Sequence, residues 1–295
     1  MQAVDAAWEE WLSSNVARGC TPASMIDVMV QSGFPADTAR VAVHHAFGRR
    51  RTHPQPAVTA AAAASNVQTP DLTQDAYRYD AAPVARGNLI RAYDRDVRVL
   101  LRCERPQLIV FADVLSSDEC DELIERSRHR LQRSTTVNPT TGGEDVIRSR
   151  TSEGVWYRRD EDALIGRIER RIASLTNWPV ENGEGLQVLH YGRSGEYSPH
   201  FDYFAPDQPG SAVHTAQGGQ RVATLVIYLN DVADGGATIF PAAGLSVVAR
   251  AGGAVYFRYM NGRQQLDPMT LHGGAPVLAG DKWIMTKWLR ERAYG

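Results

Sequence analysis

The stretch Tyr197-Ser198-Pro199-His200-Phe201-Asp202-Tyr203-Phe204 decides how this chain is read. It reads as a strand over 197–204, and side chains at i and i+2 of a strand share one face. His200 and Asp202 can therefore reach a single metal ion. Alone, His-x-Asp occurs by chance in many chains of this length. A second histidine alters its weight: His272 lies in Leu271-His272-Gly273-Gly274, at the end of a later apolar run over 268–272. Two imidazoles and one carboxylate hold Fe(II) on one face and leave three coordination positions open.

The terminal run adds a cation. Lys282, Ile284, Thr286 and Trp288 alternate with Trp283, Met285 and Lys287, so one of the two sets looks into a barrel. We expect Lys282 to face inward; an exposed lysine on an edge strand is the alternative. A buried ammonium without a partner is costly, so an inward lysine implies a resident anion. A compact point charge suits a dicarboxylate co-substrate, where an arginine fork would need a wider site. Lys282 and Lys287 are the only lysines among 32 Lys and Arg, a bias that resembles a GC-rich bacterial genome and sharpens the question of why position 282 is not arginine.

Outward from these residues, short apolar runs separated by turn signals cover 186–191, 197–204, 221–229, 237–240, 245–250, 253–259, 268–272 and 282–290. Many short strands without intervening helices predict a sandwich or barrel closed in jelly-roll fashion. Upstream, Val97–Leu101 and Leu108–Phe111 read as strands. Ser116-Ser117-Asp118-Glu119 caps a helix running through Leu131, and Asp160 to Leu175 forms a second amphipathic helix. Residues 136–146 are polar and glycine-rich and read as a mobile loop. Residues 5–48 read as three short helices, with Thr21-Pro22 opening one of them. The organisation expected is a helical module at 1–50, a Pro- and Ala-rich linker at 51–85 and a mainly β catalytic domain with flanking helices at 86–295.

Composition excludes several classes. A net charge of −2 gives no reason to expect a nucleic-acid partner, and Arg49-Arg50-Arg51 reads as solvated linker. No apolar stretch is long enough to span a bilayer, so no membrane partner is expected. The start shows no charged segment followed by an apolar one, and Cys20, Cys103 and Cys120 have no C-x-x-C spacing. These point to a reducing, cytoplasmic setting.

Several further stretches share a pattern: Leu186-Gln187-Val188-Leu189-His190-Tyr191-Gly192, Gly218-Gly219-Gln220-Arg221-Val222-Ala223-Thr224, Gly235-Gly236-Ala237-Thr238-Ile239-Phe240-Pro241, and Leu271 through Val277 followed by Gly280-Asp281-Lys282-Trp283. Together and in this order, over about residues 95–290, they resemble the prolyl 4-hydroxylase branch of the Fe(II)/2-oxoglutarate dioxygenases. The resemblance implies a double-stranded β-helix. It implies His200, Asp202 and His272 as iron ligands, with Lys282, Tyr191 and Thr238 on 2-oxoglutarate. Tyr197, Arg221 and Trp288 match positions lining a substrate groove, and Arg150 follows the loop that closes over substrate. Each also has a plain structural reading: Tyr191, Tyr197 and Trp288 as packing residues, Arg221 in an ion pair. His190 and His214 lack ligand spacing and read as structural or surface residues. The cofactors implied are Fe(II), 2-oxoglutarate and O2, with ascorbate as a reductant. A carboxylate at 202, where related halogenases carry a small residue, favours hydroxylation.

The substrate implied is a prolyl residue in a peptide or protein; a free amino acid or small metabolite of a bacterial pathway is the alternative. A third reading makes the jelly roll a scaffold and residues 1–48 the working part. Met29–Pro35 resembles the loop of UBA-like helical modules, so residues 1–48 are either a partner-binding module or an appendage of the catalytic domain. Collagen-modifying members carry a secretory signal and a peptide-binding domain that have no counterpart here, which puts collagen-like substrates in doubt.

Overall fold

The computed structural model describes residues 4, 8, 9, 12, 15, 22–31, 34–49, 77–138, 140–147 and 150–295. Most of the expected linker, 51–76, and most of the first expected helix lie outside the described residues. The chain divides into two compact units, Met1–Pro70 and Asp71–Gly295.

In the first unit, helix α1 (Pro22–Gln31) begins at the proline that the sequence reading used as its start, and helix α2 follows (Ala36–Arg49). They close on Leu12, Met25, Met29, Phe34, Ala39 and Val43, with the rings of Trp8 and Phe34 edge to face at 4.9 Å.

The second unit starts with β1 (Leu89–Ala92), β2 (Arg95–Cys103), β3 (Gln107–Ala112) and helix α3 (Ser117–Arg128). Then come β4 (Gln132–Arg133), β5 (Thr136–Val137), β6 (Glu144–Asp145), β7 (Glu153–Tyr157) and helix α4 (Ala163–Thr176). Next are β8 (Leu186–Tyr191), β9 (Tyr197–His200), helix α5 (Ser211–Thr215), β10 (Arg221–Tyr228), β11 (Asp234–Gly235) and β12 (Thr238–Phe240). The last strands are β13 (Leu245–Val247), β14 (Ala254–Arg258), β15 (His272–Gly274), β16 (Val277–Ala279) and β17 (Lys282–Arg290). The large sheet runs β1-β2-β3-β14-β10-β17-β8-β7-β4 and the small one β13-β12-β15-β9; every described pairing in them is antiparallel. This is the expected jelly roll.

Alternation along the central strands splits the apolar residues into two layers. Leu225 and Ile227 of β10, with Trp283, Met285 and Leu289 of β17, turn outward and pack under Leu123 of α3 and Ile165, Ile168 and Ile172 of α4. Val226, Tyr228 and Ile284 turn inward, toward Phe240 of the small sheet and Phe257 of β14. The inward face of β17 is thus the set that contains Lys282. Lys287, on the outward face, is also buried, and its ammonium donates to Glu169 of α4 at 2.7 Å.

Ser116 caps α3, with Glu119 returning the reciprocal bond of a capping box. The helix stops at Arg128, three residues before Leu131. Run 268–272 is a short 3-10 turn leading into β15. The segment expected as a mobile loop folds into the β5–β6 hairpin instead. Its turn is held by Asn138, whose side-chain carbonyl accepts from the amides of Thr140 and Thr141, and Thr135 Oγ1 donates to Glu144 at 2.8 Å. Glycine content signalled a turn, and the side-chain bonds were what composition could not show. Near the start of this unit, Asp80 pairs with Arg258 and accepts from the amide of Gly262 at 2.8 Å.

Arg171 ties α4 to the rest. It is 2% exposed and donates to Asp94 at 2.8 and 2.7 Å and to Glu119 at 2.7 and 2.8 Å. Burial pushes Glu119 up, but the bonds from Arg171 prevail and hold its pKa down at about 2. A lowered carboxylate stabilises the fold above its unfolded pKa and loses that contribution as pH falls toward 2. Removing Arg171 leaves Asp94 and Glu119 with only the half-exposed Arg167, at 3.8 and 3.1 Å, so Arg171→Met should cost about 1.5–3 kcal/mol in urea unfolding at neutral pH, the range for hydrogen bonds to charged groups; a cost below about 0.5 kcal/mol would show that the network is not stabilising.

Candidate active site

Between the sheets lies a cavity of about 420 Å³ whose lining includes His200, Asp202, His272 and Lys282. β15 pairs with β9 so that the Cα of His272 stands opposite that of His200. The strand ends at His200, and Asp202 sits in the bend just beyond it, rather than at i+2 of a continuing strand as the sequence suggested. The donors still converge: one ligand atom from each of the three residues lies within 4.8 Å of the others. His200 Nε2 is 3.5 Å from one oxygen of Asp202 and His272 Nε2 is 3.5 Å from the other.

The tautomers follow from the neighbours. His200 Nδ1 lies 2.9 Å from the carbonyl of Ser198, and His272 Nδ1 lies 3.1 Å from that of Thr270. A carbonyl only accepts, so each Nδ1 carries the proton and each Nε2 lone pair faces the shared point. Burial keeps His272 neutral, with its pKa pushed down to about 4. Burial works to raise Asp202; protonated His272 and His200 and the Arg221 guanidinium each lower its carboxyl, and with both rings neutral Arg221 is the cation that remains to favour the anion. Thr224 Oγ1 donates to Asp202 at 2.6 Å and fixes its plane. Tyr197 stacks on His200 with ring centroids 3.7 Å apart. Two neutral imidazoles and one anionic carboxylate, each oriented by a second group, fit Fe(II) with open positions.

Lys282 is 3% exposed and stands opposite Tyr191 in the β8–β17 pairing. Its ammonium lies 5.6 Å from the Tyr191 ring and 6.0 Å from the Tyr228 ring. No carboxylate lies within salt-bridge distance of it among the described residues. Burial pulls its pKa down to about 8. Thr238 lines the same cavity and accepts a bond from the Tyr228 hydroxyl at 2.8 Å, so its own proton is free to point elsewhere.

Arg221, expected along a substrate groove, does line the cavity, but its charge is already paired. Its guanidinium grips Glu184 at 2.7 and 2.9 Å and lies 4.1 Å from the ring of Trp288. Trp288 is buried, faces Trp156 at 5.7 Å, and its indole Nε1 has no hydrogen-bond partner. Arg150 is buried over the Tyr197 ring at 5.0 Å. His190 is held by Asp281 at 3.1 Å and is not among the residues that line the cavity; His214 does line it and contacts the Gly142 carbonyl at 2.8 Å. Sequence reasoning missed Thr224, Tyr228, Glu184 and Trp156. A threonine within the apolar run of β10 was a usable signal for Thr224; nothing marked Glu184.

The sequence profile of the 2OG-Fe(II) oxygenase superfamily matches residues 186–290. Prolyl 4-hydroxylase 5 of Arabidopsis thaliana is 43% identical over 208 residues, covering 64% of this chain and 70% of that protein. Prolyl 4-hydroxylase subunit alpha-1 of Homo sapiens is 39% identical over 189 residues, covering 64% of this chain and 35% of that one. Among solved structures, a viral collagen prolyl hydroxylase from Paramecium Bursaria Chlorella virus-1, in complex with 2OG, aligns with a TM-score of 0.49 at 26% identity, over 62% of this chain and 95% of that chain. Fold and donor set define a non-haem iron oxygenase that uses 2-oxoglutarate and O2, and the chain belongs to the prolyl 4-hydroxylase-like family of 2-oxoglutarate- and Fe(II)-dependent oxygenases.

The close approach of β15 to β9 depends on Gly273, where a Cβ would lie 2.8 Å from the Tyr197 carbonyl oxygen and 3.1 Å from Pro199 N. Gly273→Ala should therefore weaken metal binding although every ligand is present, and His272→Ala should abolish it. Co(II) titration followed by visible absorption measures both; Gly273→Ala binding as tightly as the parent would show that strand spacing does not set the site.

Proposed function

We propose that this enzyme hydroxylates a prolyl residue in a peptide or protein, converting 2-oxoglutarate and O2 to succinate and CO2 as one oxygen atom enters the substrate. The observation that carries the reading is the buried ammonium of Lys282, with no carboxylate at salt-bridge distance among the described residues, in the cavity walled by His200, Asp202 and His272. The relatives named prolyl 4-hydroxylase support the choice of proline.

Bound Fe(II), with 2-oxoglutarate and O2, supplies the oxidising equivalent for an unactivated C–H bond. His200 Nε2, His272 Nε2 and one carboxylate oxygen of Asp202 hold the metal, and the Ser198, Thr270 and Thr224 contacts keep these three from turning away. Lys282 takes the distal carboxylate of 2-oxoglutarate as a charge-assisted pair. Thr238 adds a neutral donor, because the Tyr228 hydroxyl already occupies its acceptor side. Tyr191 stands beside the ammonium in the same cavity wall, its ring 5.6 Å away. On the substrate side, Arg221 is paired with Glu184, which it shares with Arg290, and its guanidinium is braced on the face of Trp288.

Incubation with Fe(II), 2-oxoglutarate and proline-containing peptides should give a mass gain of one oxygen atom together with peptide-stimulated succinate. Succinate stimulated by free amino acids and by no peptide would contradict the peptidyl reading. Lys282→Ala should raise KM for 2-oxoglutarate about tenfold or more, the loss expected for a charge-assisted bond; an unchanged KM would remove Lys282 from that role.

The same lysine gives a pH dependence. Its pKa in the free protein is pulled down to about 8, so the cation that binds the carboxylate is lost as pH rises through 8. Burial raises the hydroxyls of Tyr191 and Tyr228 facing it above their ordinary value, so neither titrates in that window. Affinity for 2-oxoglutarate, measured anaerobically on Mn(II)-loaded protein, should weaken from pH 8 upward. The Lys282→Ala variant should show no such slope.

A further inference from the structure

Six lysine and arginine residues are buried among the described residues: Arg150, Arg171, Arg258, Lys282, Lys287 and Arg290. Four have a carboxylate partner: Arg171 has Asp94 and Glu119, Arg258 has Asp80, Lys287 has Glu169, and Arg290 has Glu184. The two without one are Lys282 and Arg150, and both line the same cavity. The proposed function assigns Lys282 the distal carboxylate of 2-oxoglutarate. Arg150 then remains as a second buried cation with no carboxylate counter-ion among the described residues.

Its contacts are all to neutral groups. Nε donates to Ser152 Oγ at 3.2 Å, Nη1 to the Thr135 carbonyl at 2.7 Å, and Nη2 to Gln187 Oε1 at 3.4 Å. A guanidinium carries five N–H groups, so two are left over. The surroundings do not balance the charge. Glu184 is shared between Arg221 and Arg290, so that trio keeps one positive charge. Glu144, the remaining carboxylate in the lining apart from Asp202, is exposed to solvent, accepts a bond from Thr135 and forms no ion pair with Arg150. Fe(II) and the 2-oxoglutarate dianion cancel one another, so the loaded cavity stays positive. A buried cation kept without a partner is costly unless a ligand brings the anion.

We propose that Arg150 is a specificity residue, and that the substrate places a carboxylate against it close to the oxidised proline. Arg150 lies over Tyr197, which in turn lies against His200, so one aromatic ring separates the guanidinium from a metal-binding imidazole. That spacing brings the carboxylate within about two residues of the target. It belongs either to an aspartate or glutamate side chain flanking the proline or to a free terminal carboxylate. This rests on the prolyl reading above.

The test uses matched probes on the full-length protein: prolyl peptides carrying Glu or Gln at each of the two positions on either side of proline, the same peptides ending in a free acid or an amide, and free proline. Binding to Mn(II)-loaded protein is followed by tryptophan fluorescence, which Trp156 and Trp288 report from the cavity wall. Turnover is followed by succinate and product mass. At one position, the acidic probe should bind roughly tenfold to a hundredfold more tightly than its amide twin, the range of a charge-assisted bond. Arg150→Gln should abolish that difference, and Arg150→Lys should restore part of it. The Glu and Gln arms against the free-acid and amide arms identify the source of the carboxylate. Equal binding of all twins, within twofold, or no detectable binding of any acidic probe, overturns the assignment. An acidic preference in binding with no hydroxylated proline would instead overturn the prolyl reading and leave Arg150 its anion.

Discussion

The antiparallel contact between β9 and β15 is the constraint on which the rest of the site depends. It sets His272 opposite His200, and the bend after His200 returns Asp202 to the same point. The contact is close because position 273 has no side chain: a Cβ there would strike the backbone of Tyr197 and Pro199. Convergence of the three donors is therefore set by strand spacing as well as by residue identity. The carbonyls of Ser198 and Thr270 then decide which nitrogen of each ring faces the point where the donors converge.

Burial of charge organises what surrounds that contact. Lys282 and Lys287 lie on opposite faces of one strand and are almost equally buried, at 3% and 2% exposure. Lys287 meets Glu169 and joins the sheet to α4; Lys282 meets no carboxylate among the described residues and faces the cavity. Leaving such a charge unpaired costs several kcal/mol in a protein interior. The difference between the two lysines separates scaffold from site without any reference to a ligand. Arg150 falls on the same side of that division as Lys282.

Much of this was legible in the sequence. The alternation over 282–290 separated two faces, and the charge placed at Lys282 marked the inward one. Ser116 with Glu119 marked the start of α3, because a capping box is a local interaction. The three metal donors were legible through the motifs around them. What escaped were long-range partners. Glu184 meets Arg221 across 37 residues, and Tyr228 reaches Thr238 from a different sheet. Neither is encoded in local spacing. The β5–β6 hairpin was hidden by its glycines, because its order comes from Asn138 and Thr135 side-chain bonds. Asp202 reached the expected partners by a bend where a continuing strand had been expected.

The most direct test of the central claim is an anaerobic crystal structure with Mn(II) and 2-oxoglutarate. The account predicts a metal bonded to Nε2 of His200, Nε2 of His272 and a carboxylate oxygen of Asp202, with the distal carboxylate of 2-oxoglutarate paired to Lys282. A metal bound through other residues, or a 2-oxoglutarate carboxylate paired to Arg150 while Lys282 stays without an anion, would contradict it.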